Sequence, residues 1–535
     1  MTASSLASPV APHSSLLARR IALGVLLAVL AYRAFLFADA GLAAILYPWE
    51  LDYGEGIVWQ QMRWIFTEKA YGPIDQFPAI VFHYPPVYHA VTAICAEAFG
   101  TDELATGRAI SLLSTIAAAI ASYVLVGLLL EGRANRGNRR FCSCIAGLLV
   151  FTYLPVIDWA PLMRVDMLAM ALSLFGLVAA FKSLERPRLI YLAALLFVAA
   201  LFTKQTSIAA PAATFAVLIA MRAKLAVQGI AACLVLGFTA LLTLGWLTDG
   251  GFYRHIFLYN VNRPDLSRLL LIFHPAATQP IYVALASLVF VRRLAGARSQ
   301  YRGNPNARAA LCGNVADMRL LIAAAYALLS TLTLLLVAKS GSNINYFLDW
   351  FFALGLFAAM APNEAIGGAS GKAERQAIFA LAVPIALAIG AAFAPLPRSD
   401  FSGSSSRARE LAQLSAEIAS ADKPVISDDM VLLIRSGREV LWEPAIFAEL
   451  ASTGAWDERP FVENIRNGEF AFFITWGRRG DHRFDERYNP AVADAIDAAY
   501  PVKQEIAGST VHKPRVQPPS LGRAGRHRPR SSVSP

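Results

Sequence analysis

Charge is what this sequence has least of: 16% of its 535 residues are Asp, Glu, Lys or Arg, against 56% hydrophobic residues and a mean hydropathy of +0.47. A soluble multidomain enzyme is excluded at that balance, because too little polar surface is left to cover its cores; the composition is that of a polytopic membrane protein. Cysteine is scarce as well. The five cysteines (Cys95, Cys142, Cys144, Cys233, Cys312) lie in or beside apolar segments and none follows residue 312, which argues against a disulfide framework or a zinc-ligand pair. Cys142 and Cys144, as C-x-C, have the wrong spacing for a thioredoxin-type redox pair. The sequence also lacks internal repeats, a Walker-type phosphate loop and a dinucleotide fingerprint. The net charge of +10 comes with arginines clustered between apolar runs, which fits basic loops lying against anionic lipid and gives no sign of nucleic-acid binding.

Long hydrophobic runs fill the space that charge leaves. The first, "LLARRIALGVLLAVLAYRAFLFADAGLAAILY", starts like a signal sequence but outlasts a normal apolar core and lacks a cleavage context, so it reads as a retained span. Arg33 and Asp39 lie within it, with Asp39 facing protein or the outer interface. Further runs follow at 108–130, 142–157, 166–182, 189–203, 206–222, 227–247, 272–291, 320–338, 345–361 and 376–395. Several fall short of the roughly 20 residues a span needs, and Pro275 and Pro280 make 272–291 the weakest.

One segment sets the topology of everything after it. If "YPPVYHAVTAICAEAF" (84–99) crossed the bilayer, the basic loops at 131–140, 182–188, 222–224 and 292–319 would lie outside while Arg19 and Arg20 lie inside. If it rests on the outer surface instead, all of them are cytoplasmic. The positive-inside rule therefore favours about eleven spans and an interfacial 84–99 helix. The expected fold class is an all-α polytopic membrane protein, with interfacial helices in the first outer loop and a small C-terminal α/β domain.

The domain order follows: a cytoplasmic tail at 1–20, a membrane domain at 21–397 with its first outer loop at 48–107, a small extracytoplasmic domain at 398–511 and a disordered basic tail at 512–535. "SDFSGSSSRARE" reads as a linker. Beyond it, helical patterns ("RARELAQLSAEIAS", "PAVADAIDAAY") alternate with strand-like runs ("KPVISDD", "EFAFFITW"). An odd number of spans puts this domain outside.

Against the general avoidance of charge, "YPWELDYGEGIVWQQMRW" (47–64) gathers Glu50, Asp52 and Glu55 within six positions. Any one of them is most simply a solvated loop residue, and Glu55 near a helix start also gains from unpaired backbone N–H groups. Three together, ahead of the helical "GIVWQQMRWIFTEKAYG" and then "FHYPP", call for a site. The other outer loops mix the same kinds of groups: "DWAPLMRVD" with Arg164 and Asp166, "TKQT" with Lys204, "DGGFYRHIFLYNVNRPD" with Arg254 and His255, and "KSGSNINYF" with Asn345.

The stretch "GEGIVWQQMRWIFTEKAYGPIDQFPAIVFHYPPVYHAVTAICAEAFG" resembles the first outer loop of the C-type membrane glycosyltransferases, especially relatives of the protein O-mannosyltransferases and the lipid A aminoarabinose transferases. "MRVDMLAMALSLFGL" and "ALFTKQTSIAAP" resemble the D-x-L-A and L-T-K segments of the same superfamily, in the same order, over roughly residues 20 to 360. The resemblance implies a transferase that takes a sugar from a polyprenyl-phosphate donor on the outer face, usually with inversion, and passes it to a lipid, glycan or protein acceptor. It implies a bacterial inner (plasma) membrane location. A carboxylate would align or deprotonate the acceptor, and cationic groups would stabilise the departing phosphate.

Carried over by position, the family's acidic pair falls on Gly54 and Glu55, so Glu55 keeps the alignment while Asp52 stands two positions earlier. The resemblance then implies Asp52 as base, Glu55 as its partner or as an acceptor-orienting group, and Glu50 as a lesser candidate. Lys204 would meet the donor phosphate. His83, Tyr84, Arg164, Asp166, Arg254 and Asn345 would line the substrate. Some superfamily members use a divalent metal and others do not, and these acids do not decide between them. A secondary transporter would show broken helices in matching halves, which are not visible. A lipid flippase, or a polymerase or ligase of lipid-linked glycans, would place its charges differently. A sensor displaying the outer domain would not need the acidic loop.

Overall fold

A computed structural model describes residues 13–367, 373–398 and 405–515. The expected tail positions 1–12 and 516–535, and the linker positions 399–404, lie outside the described residues, whereas His512 and Lys513, expected in the disordered tail, belong to the strand Ser509–Lys513 because His512 pairs with Phe473 and is buried. The chain is a helical membrane protein with a small α/β unit at its C-terminal end. Among the described residues seven helices are long and apolar enough to cross a bilayer: Leu17–Leu46, Glu103–Leu129, Asp166–Ser183, Ala223–Leu247, Pro280–Tyr301, Val315–Val337 and Ile344–Ala365. Shorter apolar helices at Leu189–Leu201, Ala209–Met221 and Ile378–Ala392 pack among them.

Two of the expected spans are broken, and each break has a local cause. The 142–157 run forms a helix at Arg136–Leu149, a 3-10 turn at Val150–Thr152 and a new helix at Leu154–Trp159. Pro155 sits in the first turn of that new helix, where its missing N–H has no partner to lose. The 272–291 run breaks at Gln279, between Phe273–Thr278 and Pro280–Tyr301. The buried Gln279 amide then ties the two breaks together: its Nε2 donates to Thr152 O (2.7 Å) and its Oε1 accepts from Leu154 N (3.1 Å). Backbone groups freed inside an apolar layer are thereby satisfied by protein.

The 84–99 segment forms the helix Val87–Phe99, ended by Gly100 in the left-handed conformation (φ 59°). At 1.5 Å per residue its 13 residues reach only about 20 Å, too short to span. Asp102 then caps Glu103–Leu129 by accepting from Ala105 N (2.9 Å), so the chain turns directly from the short helix into a long one.

Charge is segregated along these helices. At the ends far from Glu103 and Asp166, Arg319 bridges Glu131 and Glu185 (2.8 Å each), Arg133 pairs with Asp317, and Arg293 pairs with Glu364. The C-terminal unit packs at the opposite ends. Its sheet has the order β1 (Ile426–Ser427), β2 (Phe473–Thr475), β4 (Ser509–Lys513), β3 (Val502–Ile506); β1 and β2 are parallel and the other pairs antiparallel.

This unit shares a core with the first loop. Ile57, Val58, Trp59 and Met62 of the helix Gly54–Trp64 are buried with Leu411, Leu414, Met430 and Val431. A side chain at Gly56 would meet the Val431 backbone at 2.5 Å, so glycine is what allows this approach. The helix is buried almost all round, because one side faces the bundle and the other faces the C-terminal unit.

Candidate active site

Glu55 is the floor of the first loop. It is fully buried, and Arg108 grips it with two hydrogen bonds, Nε to Oε1 (2.8 Å) and Nη2 to Oε2 (2.7 Å). The same carboxylate accepts from Met163 N (2.9 Å) and Leu51 N (2.8 Å). Arg108 spends its remaining donors on the carbonyls of Ala44, Tyr47 and Trp49, at 2.7, 2.5 and 2.8 Å. The pair therefore bolts the end of the first span, the loop after it, and the 160–165 turn to one guanidinium, and Glu55 has no acceptor direction left for a substrate. Arg108 was not singled out in the sequence, although a lone arginine opening an apolar run was the available signal.

Asp52, three residues earlier, stays open. Its side chain keeps 28% of its surface, with Oδ1 receiving Gly54 N at 3.2 Å and facing Arg164 Nη1 at 3.6 Å. Gly54 stands where the resemblance would place the second acid, and the structure shows what occupies that space. A Cβ at Gly54 would lie 1.2 Å from Arg164 Nη1, so the guanidinium fills the position of the missing side chain.

Behind Arg164, Asp166 is saturated. Oδ1 accepts from Lys204 Nζ (2.6 Å) and Asn345 Nδ2 (2.8 Å), and Oδ2 accepts from Trp159 Nε1 (2.9 Å). Burial opposes the Lys204 charge, but Asp166 and the nearby Tyr346 and Tyr84 phenols hold its pKa above the ordinary lysine value. Its ammonium also lies 5.3 Å from the centre of the Tyr346 ring. Burial raises the Tyr84 pKa, with Arg164, Asp166, Lys204 and Tyr346 all close by. Asp52, Tyr84, Arg164, Asp166, Lys204 and Asn345 thus come together from four separate parts of the chain.

His83 joins this group from the other side. Its carbonyl accepts from Gln205 Nε2 (2.9 Å) and Asn260 Nδ2 (3.2 Å). Gln61 lies 3.4 Å from its Nδ1, and Glu443 of the C-terminal unit lies 3.6 Å from its Nε2. Burial, with Arg164 and other cations adding to it, drives the His83 pKa down to about 3. Burial pushes Glu443 up to about 8, against the pull of Arg164 and Arg487. Both shifts favour the uncharged forms, so the contact is between an imidazole and a carboxyl that are each disfavoured as ions.

Two candidates point elsewhere. Glu50 is buried against Asp429 of the C-terminal unit, and burial first, then Asp429, raises its pKa well above the ordinary glutamate range. It borders a cavity of about 950 Å³ between the first loop and the C-terminal unit, where Arg407, Trp476 and Arg483 also lie. Arg254 is exposed in a short π-helical turn, apart from the Asp52 group. Its neighbour His255 is buried as a brace, receiving Phe82 N at Nδ1 (3.0 Å) and facing Gly72 O from Nε2 (2.7 Å). Among the described residues no group of three or more His, Cys, Asp or Glu is placed to hold a metal ion.

No family model matches the chain, and no curated protein is similar to it in sequence. Solved structures are. ArnT from Cupriavidus metallidurans in the apo state aligns at a TM-score of 0.54 and 12% identity, over 90% of this chain and 97% of that one. The same protein bound to undecaprenyl phosphate aligns at 0.52 and 14% identity over the same shares. The Archaeoglobus fulgidus oligosaccharyltransferase gives a fainter likeness, with a TM-score of 0.41 and 11% identity over 83% of this chain and 69% of that one. At these identities the likeness is one of fold: the chain has an ArnT-like membrane fold, the fold that the resemblance of its first loop implied.

Proposed function

We propose that this protein is a membrane glycosyltransferase that moves a sugar from a polyprenyl-phosphate donor to a hydroxyl or amine acceptor. The observation that carries the reading is the placing of one open carboxylate, Asp52, against Arg164, with Lys204 held close by on Asp166, to which Asn345 also donates. That arrangement answers both needs of the reaction. Asp52 takes the proton of the acceptor as its oxygen or nitrogen attacks the anomeric carbon. Arg164 and Lys204 stabilise the negative charge on the phosphate as the sugar–oxygen bond breaks and the electron pair leaves with it. Attack from the face opposite the phosphate inverts the anomeric centre. Glu55 and Arg108 hold the loop rather than react.

The arginine-rich ends of the helices lie on the cytoplasmic side, as the positive-inside rule asks, and the site and the C-terminal unit face the outside of the bacterial inner membrane. The likeness to a protein that binds undecaprenyl phosphate supports a lipid-phosphate donor of that class. The acceptor class is a cell-envelope lipid, glycan or protein. The test is transfer of radiolabelled sugar from a panel of polyprenyl-phosphate sugars in membranes containing wild type or Asp52→Asn at matched expression. Labelled product from wild type alone supports the reading. Absence of product with every donor, together with complementation of a deletion strain by the variant, contradicts it.

A further inference from the structure

Resting on that reading, we propose that Glu443 of the C-terminal unit is a further catalytic residue: a neutral carboxylic acid whose O–H donates a hydrogen bond to a phosphate oxygen of the bound donor.

Placement comes first. Glu443 stands at the N-cap of the helix Pro444–Ser452, yet its side chain makes no capping bond there. It turns toward the membrane domain and is buried, with Oε2 lacking a hydrogen-bond partner among the described residues. The backbone that carries it is fastened to the first loop: Ala79 N donates to Leu441 O (2.8 Å) and Val440 N to Gln60 Oε1 (3.1 Å). Its position is therefore set by the membrane domain, not by its own helix.

The surroundings decide its protonation. His83 faces it from the first loop, Arg164 from the turn before Asp166, and Tyr53 and Arg487 from the remaining sides. Arg487 lies over Tyr53, 4.1 Å from its ring centre, and is held by Asp428 at 3.3 Å. With Gln61 donating to His83 Nδ1, the imidazole proton sits on Nε2, facing Glu443 Oε2. The acid's own proton then belongs on Oε1. Arg164 is the link to the chemistry, because it contacts Asp52 and is also the cation that acts most strongly on Glu443. A phosphate held at Arg164 would sit beside the cation that acts on both acids. A second anion would repel an ionised carboxylate, whereas a neutral acid can donate to it, and the bond strengthens as charge builds on the leaving phosphate. Glu443 keeps its proton throughout, while the acceptor's proton goes to Asp52.

The experiment is the pH profile of the transfer rate, and of undecaprenyl phosphate binding, for the full chain as wild type, Glu443→Gln and Glu443→Ala. In wild type both should fall as pH rises through about 8, where the acid ionises beside the phosphate. Glu443→Gln keeps a neutral donor at every pH, so it should retain activity at neutral pH within about threefold and lose the alkaline fall. Glu443→Ala should fold normally and lose on the order of a hundredfold in kcat. An inactive Gln variant, or a wild-type rate that rises through this pH range, would mark Glu443 as a base and overturn the assignment. An Ala variant with wild-type rate and profile would reduce it to packing. Lipid phosphate that binds neither wild type nor Asp52→Asn would overturn the proposed function itself, a result distinct from any of these.

Discussion

Asp52 and Glu55 lie three residues apart on one short turn, and the fold gives them opposite fates. Glu55 is closed in with a complete set of partners, two from Arg108 and two from backbone N–H groups. Asp52 keeps an open edge and one loose cationic neighbour at 3.6 Å. A carboxylate with every acceptor site filled holds structure, and one with sites to spare can do chemistry. The acid whose place in the chain matches the resemblance is thus the scaffold, and its displaced neighbour is the one left open.

The largest effect that would break this contrast is on rate. Asp52→Asn should lower transfer by about 10²–10⁴-fold, the usual contribution of a positioned base, with the melting midpoint unchanged. The next largest is on stability. Glu55→Ala or Arg108→Ala leaves a buried charge without its partner and should cost on the order of 3–5 kcal/mol, read as a sharp fall in melting midpoint and folded yield in detergent. Equal stability of these variants and wild type would show that the pair is not the bolt described here.

A smaller change sharpens the comparison from the other side. Gly54→Ala would place a methyl 1.2 Å from Arg164 Nη1 and force the guanidinium away from Asp52. Transfer should drop by about tenfold as the phosphate loses one positioned donor, with little change in folding. An unchanged rate would mean that Arg164 is not needed where it stands. The smallest effect belongs to the surface contact between the first loop and the C-terminal unit. Lys69 and Glu439 pair at 2.7 Å but both remain nearly half exposed, so Lys69→Ala should change stability by about 0–1 kcal/mol, and less in high salt.

The membrane fold was legible in the sequence because the bilayer imposes long apolar runs, and the basic loops between them mark one side. Pro275 and Pro280 marked 272–291 as the weakest run, but the joining of its break to the one at Tyr153 was not legible, because a proline signals a local interruption without saying that a distant amide will lock two of them together. The acidic loop stood out because charge is rare around it. What one sequence could not show is which acid meets Arg108 and which meets Arg164, since both arginines lie far along the chain. Glu443 was least visible of all: "LWEP" carries no pattern, and its role arises only where the C-terminal unit docks on the first loop.

The most direct test of the account is the transfer rate per folded molecule of Asp52→Asn and Glu55→Gln, measured side by side well below their melting midpoints with the same donor. The account predicts that the Asp52 variant is folded and inactive, and that the Glu55 variant is less stable but keeps its rate within about tenfold of wild type. A folded Glu55 variant without activity, beside an Asp52 variant that still transfers sugar, would contradict it and return the chemistry to Glu55.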